Sequence, residues 1–165
     1  LAKISGARVI AAVGSEQKRK VVEKYNPELI INYQEENLRE TVEAHFGKRP
    51  VNIFYDQVGG QAYDEGVKLL SSEGRALIVG FASGNIPSQL LSYLLVKNIT
   101  IMGVFMISFE DNDKDYLKSR IELIFEHYRN KKIEPVFEII DFQNIIEYLD
   151  LIGSRKTVGR IVAVR

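Results

Sequence analysis

Arg8-Val9-Ile10-Ala11-Ala12-Val13-Gly14-Ser15-Glu16-Gln17-Lys18-Arg19-Lys20 opens as an apolar, β-branched run, stops at a glycine and a serine, and turns into a charged pattern of helical period. It reads as strand, turn, helix. The same order recurs down the chain, with strands expected over 8–13, 29–32, 51–55, 76–79 and 99–104 and helices over 16–25, 37–46, 61–70 and 88–96. Turn residues separate them: Asn26-Pro27, Gly47, Gly59-Gly60 and Ser83-Gly84-Asn85. Alternation of this kind marks an α/β fold with a parallel, Rossmann-type doubly wound sheet.

Beyond Val104 the rhythm changes. A polar, acidic connection is expected over 105–115, then a long amphipathic helix over 116–129 whose Leu117, Ile121, Ile124, Phe125 and Tyr128 form one apolar stripe. An extended segment over 133–140, a short helix over 142–152 and a strand over 160–164 close the chain. Two regions follow, 1–104 and 105–165. At the other end, Leu1-Ala2-Lys3-Ile4-Ser5-Gly6 reads as the last turn of a helix capped by Gly6, so the chain is expected to continue a longer protein.

Composition narrows the function. The chain has 165 residues, 45% of them hydrophobic, with 22 Lys plus Arg against 22 Asp plus Glu. Zero formal charge removes the global field that would draw a protein to nucleic acid or an anionic membrane. No apolar run approaches the roughly 20 residues of a membrane helix. With no cysteine and two histidines, a disulfide framework and a thiolate zinc site are excluded, and a reducing, cytoplasmic setting is expected. His45 and His127 fall on helices and read as surface or packing residues.

In a doubly wound sheet, ligands sit outside the carboxyl ends of the strands. Gly14-Ser15 with Lys18 and Arg19 stands where an acidic residue would meet a free ribose hydroxyl, and small polar and basic groups there suit a 2′-phosphate. Equally, Ser15 could be only a helix N-cap, the basic run a solvated face, and Glu16 a ligand for a hydroxyl. Tyr33 could cover an adenine or simply pack. Tyr55-Asp56-Gln57-Val58-Gly59-Gly60 allows close backbone approach to a ligand, although Asp56 could instead cap the next helix. Val79-Gly80-Phe81-Ala82-Ser83-Gly84 could frame a flat ring or form a tight turn.

In order and spacing these loops resemble the quinone oxidoreductase (zeta-crystallin-like) branch of the medium-chain dehydrogenase/reductase superfamily. The resemblance continues through Gly74-Arg75, Leu95-Val96-Lys97-Asn98, Gly103-Val104-Phe105, Ile133-Glu134-Pro135 and Thr157-Val158-Gly159-Arg160-Ile161-Val162. It implies NADPH-dependent, metal-free hydride transfer to a quinone or an alkene conjugated to a carbonyl. By matching position it implies that Ser15, Lys18 and Tyr33 meet the 2′-phosphate and adenosine of NADP. Val58 and Gly59 would lie near the cofactor's centre, and Phe81, Ser83 and Phe105 near its nicotinamide end.

The resemblance singles out no catalytic side chain. It also implies that a first strand, its glycine-rich loop and most of a GroES-like substrate domain stand upstream of Leu1, with 105–165 returning to that domain. Without that central strand the sheet is expected to be cut in two. A homodimer is implied along the edge strand running from Asn98 to Val104. Two alternatives compete: a non-catalytic nucleotide-binding or interaction module, and an unrelated Rossmann-like protein such as a methyltransferase, which would prefer S-adenosylmethionine to NADPH.

Overall fold

The computed structural model describes the backbone of residues 1–165 and the side chains of all of these except residues 110 and 111. The chain forms two compact units: Ile10–Leu117, and Leu1–Val9 together with Lys118–Arg165. In the first, β1 (Ile10–Val13), α1 (Glu16–Glu23), β2 (Leu29–Asn32), α2 (Leu38–Phe46) and β3 (Val51–Asp56) alternate as the pattern predicts. They are followed by α3 (Gly60–Gly66), β4 (Leu70–Ile78), α4 (Leu91–Lys97), β5 (Thr100–Gly103) and α5 (Ile107–Asn112). Every strand pair is parallel.

The ladder is divided. β1 pairs only with β2, and β3-β4-β5 form a separate three-stranded sheet. This is the cut expected from the sequence. What ties the two sheets together is side-chain packing: Ile31 of β2, Leu38 and Val42 of α2 and Leu69 form one buried cluster, with Ile10 of β1 and Val51 of β3 packed against it. Each such burial is worth about 1.5–3 kcal/mol, against about 1 kcal/mol net for a backbone hydrogen bond. A shared apolar layer therefore suffices where strand pairing is missing. A second cluster, Tyr63, Val67, Leu70, Ala76 and Ile99, holds α3 and α4 against β3-β4-β5.

Two elements depart from the sequence expectation. The helix expected over 61–70 ends at Gly66, where the Phe54 ring occupies the space a Cβ would take. The chain tightens into a 3-10 turn at Val67–Leu69, and Leu70 already pairs with Val51 as the first residue of β4. Tertiary packing has overridden helical periodicity there. The connection expected over 105–115 contains α5, beside which the Phe109 and Tyr116 rings pack at 5.6 Å. That ring contact stabilises a turn whose polar composition suggested none.

In the other unit the residues before Val9 close a helical turn as expected. Ala7 N–H donates to Ala2 O at 3.0 Å and Gly6 N–H to Lys3 O at 2.9 Å, a Schellman pattern in which Gly6 takes φ +81°. α6 (Lys114–Arg129), capped by Asp113 accepting from Tyr116 N–H at 2.9 Å, runs into this unit. β6 (Phe137–Asp141), α7 (Ile145–Gly153) and β7 (Arg160–Val164) then form a parallel β-α-β element. The Tyr148 hydroxyl donates to Glu138 Oε1 at 2.6 Å, which pushes the phenol above its ordinary value. No residue of α6 is buried, and Ile121, Ile124, Phe125 and Tyr128 are exposed. No helix among the described residues is long and apolar enough to cross a membrane.

Candidate functional site

The carboxyl ends of the strands carry two groups of residues. At β1, Val13 O accepts from Tyr33 N–H at 3.0 Å, which draws the residue after β2 to the end of β1. The Tyr33 phenol then lies over Gly14: a Cβ at that position would meet its hydroxyl at 2.7 Å. Ser15 caps α1, its Oγ accepting from Lys18 N–H at 3.3 Å. Ser15 and Tyr33 thus flank one glycine, and Lys18 stands in the first turn of the helix that Ser15 caps. A serine hydroxyl in this cap can still donate its own proton, since capping uses only a lone pair.

Arg19 takes no part in that group. Its guanidinium donates to Glu36 Oε1 at 3.2 Å and to Ile30 O at 3.0 Å, and the same Glu36 oxygen accepts from Asn32 N–H at 2.9 Å. Its charge is spent on tying α1 to β2. Arg19 is therefore not a candidate for a ligand contact.

At β3 the strand ends on Asp56, which is buried. Its carboxylate accepts from Val58 N–H at 2.9 Å and from Gly59 N–H at 3.1 Å, folding the chain back before α3. The loop after β4 is stitched onto this turn. Ala82 N–H donates to Gln57 O at 3.0 Å, Ser83 N–H to Val58 O at 2.9 Å, and Gly60 N–H to Asn85 O at 3.1 Å.

Gly59 sits between the two loops with φ +72°, and a Cβ there would meet Asn85 O at 2.6 Å and the Phe81 ring at 3.3 Å. Only glycine fits both the backbone and the space. Val58, Gly59, Phe81 and Ser83 therefore form one surface. Beneath it, Tyr63 has its phenol pushed up by burial and then by the Asp56 charge.

Phe105 stands one residue beyond the last backbone link of β4 to the next strand, Val104 N–H donating to Ile78 O at 2.9 Å, and its ring is exposed. Sequence reasoning weighed Asp56 only as a helix cap, yet it organises the backbone of two candidate residues. Asn85 escaped notice, although Ser83-Gly84-Asn85 was legible as a turn. The Ser83 hydroxyl accepting from Asn85 N–H at 3.1 Å makes that turn. His45 meets the Phe46 ring edge-on at 4.6 Å, as a packing histidine would.

The family model described as "Zinc-binding dehydrogenase" matches residues 1–124. The chain belongs to this family. Mouse quinone oxidoreductase-like protein 2 is 30% identical over 94% of this chain, and acryloyl-coenzyme A reductase of Metallosphaera sedula is 33% identical over 98% of it. Among solved structures, Escherichia coli quinone oxidoreductase complexed with NADPH superposes with TM-score 0.87 at 23% identity, over 99% of this chain and 51% of that one. The chain spans about half the length of the curated relatives it matches, 45% of each of the two named here.

The mouse relative carries the quinone oxidoreductase name that the motifs resemble, and membership of the dehydrogenase family sets an unrelated methyltransferase aside. Zinc finds no fit in this chain: it has no cysteine, and among the described residues no three His, Asp or Glu side chains converge as for a metal ion.

Proposed function

We propose that this dehydrogenase chain carries the NADP-binding side of an NADPH-dependent oxidoreductase that reduces a quinone or an α,β-unsaturated carbonyl. One observation carries the reading. The Asp56-organised turn and the loop after β4 are stitched into one surface at the carboxyl ends of β3 and β4, and Gly59 at its centre packs directly against Asn85 O and the Phe81 ring. A backbone-lined surface outside the carboxyl ends of parallel strands is where a doubly wound sheet takes an extended ligand. Ser15, Lys18 and Tyr33 offer two hydroxyls and a cation, a donor set suited to a 2′-phosphate.

Bound here, the cofactor supplies a hydride, and the chain's own residues orient it. Lys18, Ser15 and Tyr33 hold the adenosine end, Val58 and Gly59 line the centre, and Phe81, Ser83 and Phe105 shield the nicotinamide end from water. Residues 1–104 make up this nucleotide region, and 105–165 return to a substrate domain. The cysteine-free sequence supports a cytoplasmic setting.

In the longest protein that contains this chain, NADPH is expected to bind more tightly than NADH, and Lys18→Ala to reduce the preference by about tenfold or more. Loss of one charge-assisted contact, roughly 1.5–3 kcal/mol, sets that size. Titration of both nucleotides against both proteins decides it, and equal affinities in the unmutated protein would defeat the reading.

We further propose a two-fold dimer along β5. This strand pairs only with β4, Met102 on it is exposed, and the neighbouring α4 exposes Leu91, Leu95 and Val96. An apolar edge beside an apolar helix face is a surface that a second copy can complete. Sedimentation equilibrium is expected to give a dimer at micromolar protein and a monomer for Met102→Lys. An unchanged mass in that variant would count against the edge.

A further inference from the structure

The opposite end of the same sheet holds a cavity of about 430 Å³ lined by Arg39, Glu43, Lys48, Arg49, Lys68, Tyr93 and Lys97. It lies where β3 and β4 begin, and so about 17 Å along the strand from Asp56 at 3.3 Å per residue. Five of its seven lining residues are cations and one is a carboxylate. In a chain of zero formal charge such a concentration is local and selected by the fold rather than by composition.

Pairing neutralises only part of it. Arg39 Nε stands 3.3 Å from Glu43 Oε2, and Lys68 Nζ stands 3.1 Å from Glu65 Oε1. Arg49 is held by neutral groups: its Nε donates to Leu70 O at 2.6 Å and its Nη2 to Lys97 O at 2.8 Å. Among the described residues no carboxylate forms an ion pair with it. Lys97 lies 6.0 Å from the Tyr93 ring centroid, an aromatic rather than an anionic neighbour.

The backbone enforces the arrangement, because Arg49 adopts φ +51°, a left-handed conformation costly for a side chain of its size. Strained backbone and two carbonyl contacts fix the guanidinium in place. Lys48 and Lys97 add their charges beside it. Three cations around a cavity repel one another, and the repulsion is relieved when a compact anion enters.

We propose that this cavity binds a compact, multiply charged oxyanion of the phosphate class, at the opposite end of the sheet from the nucleotide surface and independently of it. Arg49 is the preorganised contact, and Lys48 and Lys97 close over the ligand from the ends of α2 and α4. Occupancy would tie α2, the start of β4 and α4 to one another.

The test uses the 165-residue chain and sodium tripolyphosphate, with ionic strength held constant by sodium chloride, read by isothermal titration calorimetry and by thermal unfolding. The expected result is saturable one-to-one binding and a raised melting temperature. Lys48→Glu with Lys97→Glu should weaken binding at least about tenfold, since two attractive charges become repulsive. The double variant should melt no lower than the parent without anion. Should it not fold, Lys48→Gln and Lys97→Gln singly are each expected to weaken binding. Lys18→Ala should bind as the parent does, because Lys18 stands after β1, in the other sheet, and does not line this cavity. Absence of saturable heat, an equal effect of sodium chloride alone, or loss of binding in Lys18→Ala with retention in the double variant would each overturn the proposal.

Discussion

Mixed with NADPH and a quinone, the purified 165-residue chain is expected to leave the cofactor unoxidised, at a rate at least a thousandfold below that of a full-length relative. Hydride transfer needs donor and acceptor held within a near-attack distance, and effective molarities of about 10⁵ M or more are lost when one of the two is unplaced. Here the nucleotide surface is assembled from two groups on two separate sheets, β1-β2 and β3-β4-β5, with no strand pairing between them. Ile53 and Tyr55 are exposed on β3, so one face of that sheet lacks a covering layer. The Ile121, Ile124 and Phe125 stripe of α6 is likewise exposed. Exposed faces of this kind give a quinone no fixed position against the cofactor. NADPH absorbance followed with and without quinone measures this. Turnover comparable to a full-length relative would show that these residues form a working site by themselves.

Replacing Asp56 with alanine should cost about 3 kcal/mol, the loss of two charge-assisted backbone hydrogen bonds at a buried position. The donors, Val58 N–H and Gly59 N–H, now meet the carboxylate at 2.9 and 3.1 Å and would face an apolar methyl group instead. At about 2–4 °C per kcal/mol the melting temperature should fall by roughly 6–12 °C. Asp56→Asn keeps one acceptor oxygen and should recover about half of the loss. Amide exchange at residues 58 and 59 should accelerate in the alanine variant more than at Ile31 or Val42, which lie in the other core cluster. An unaltered melting temperature would mean that water or a shifted turn serves these donors equally well.

Much of this protein was legible in its sequence because the deciding signals are local. Strand β7 falls where an apolar run follows Gly159, α1 begins at Ser15 because a serine Oγ can take the Lys18 N–H, and Gly6 caps its turn because φ +81° suits glycine. Even the division of the sheet, β1-β2 apart from β3-β4-β5, matches the expectation drawn from the strand order of the resembled fold. What local signals could not decide was where the long side chains go. Lys18 and Arg19 are adjacent and look alike, yet Arg19 is committed to Glu36 and Ile30 by residues far along the chain. Gly66 ended a helix that periodicity extended, because Phe54 of β3 needed the space. The cation cavity is tertiary in the same sense: Arg39, Lys48, Lys68 and Lys97 are scattered through an electrically balanced sequence, and only the packing of α2, β4 and α4 brings their charges to one place.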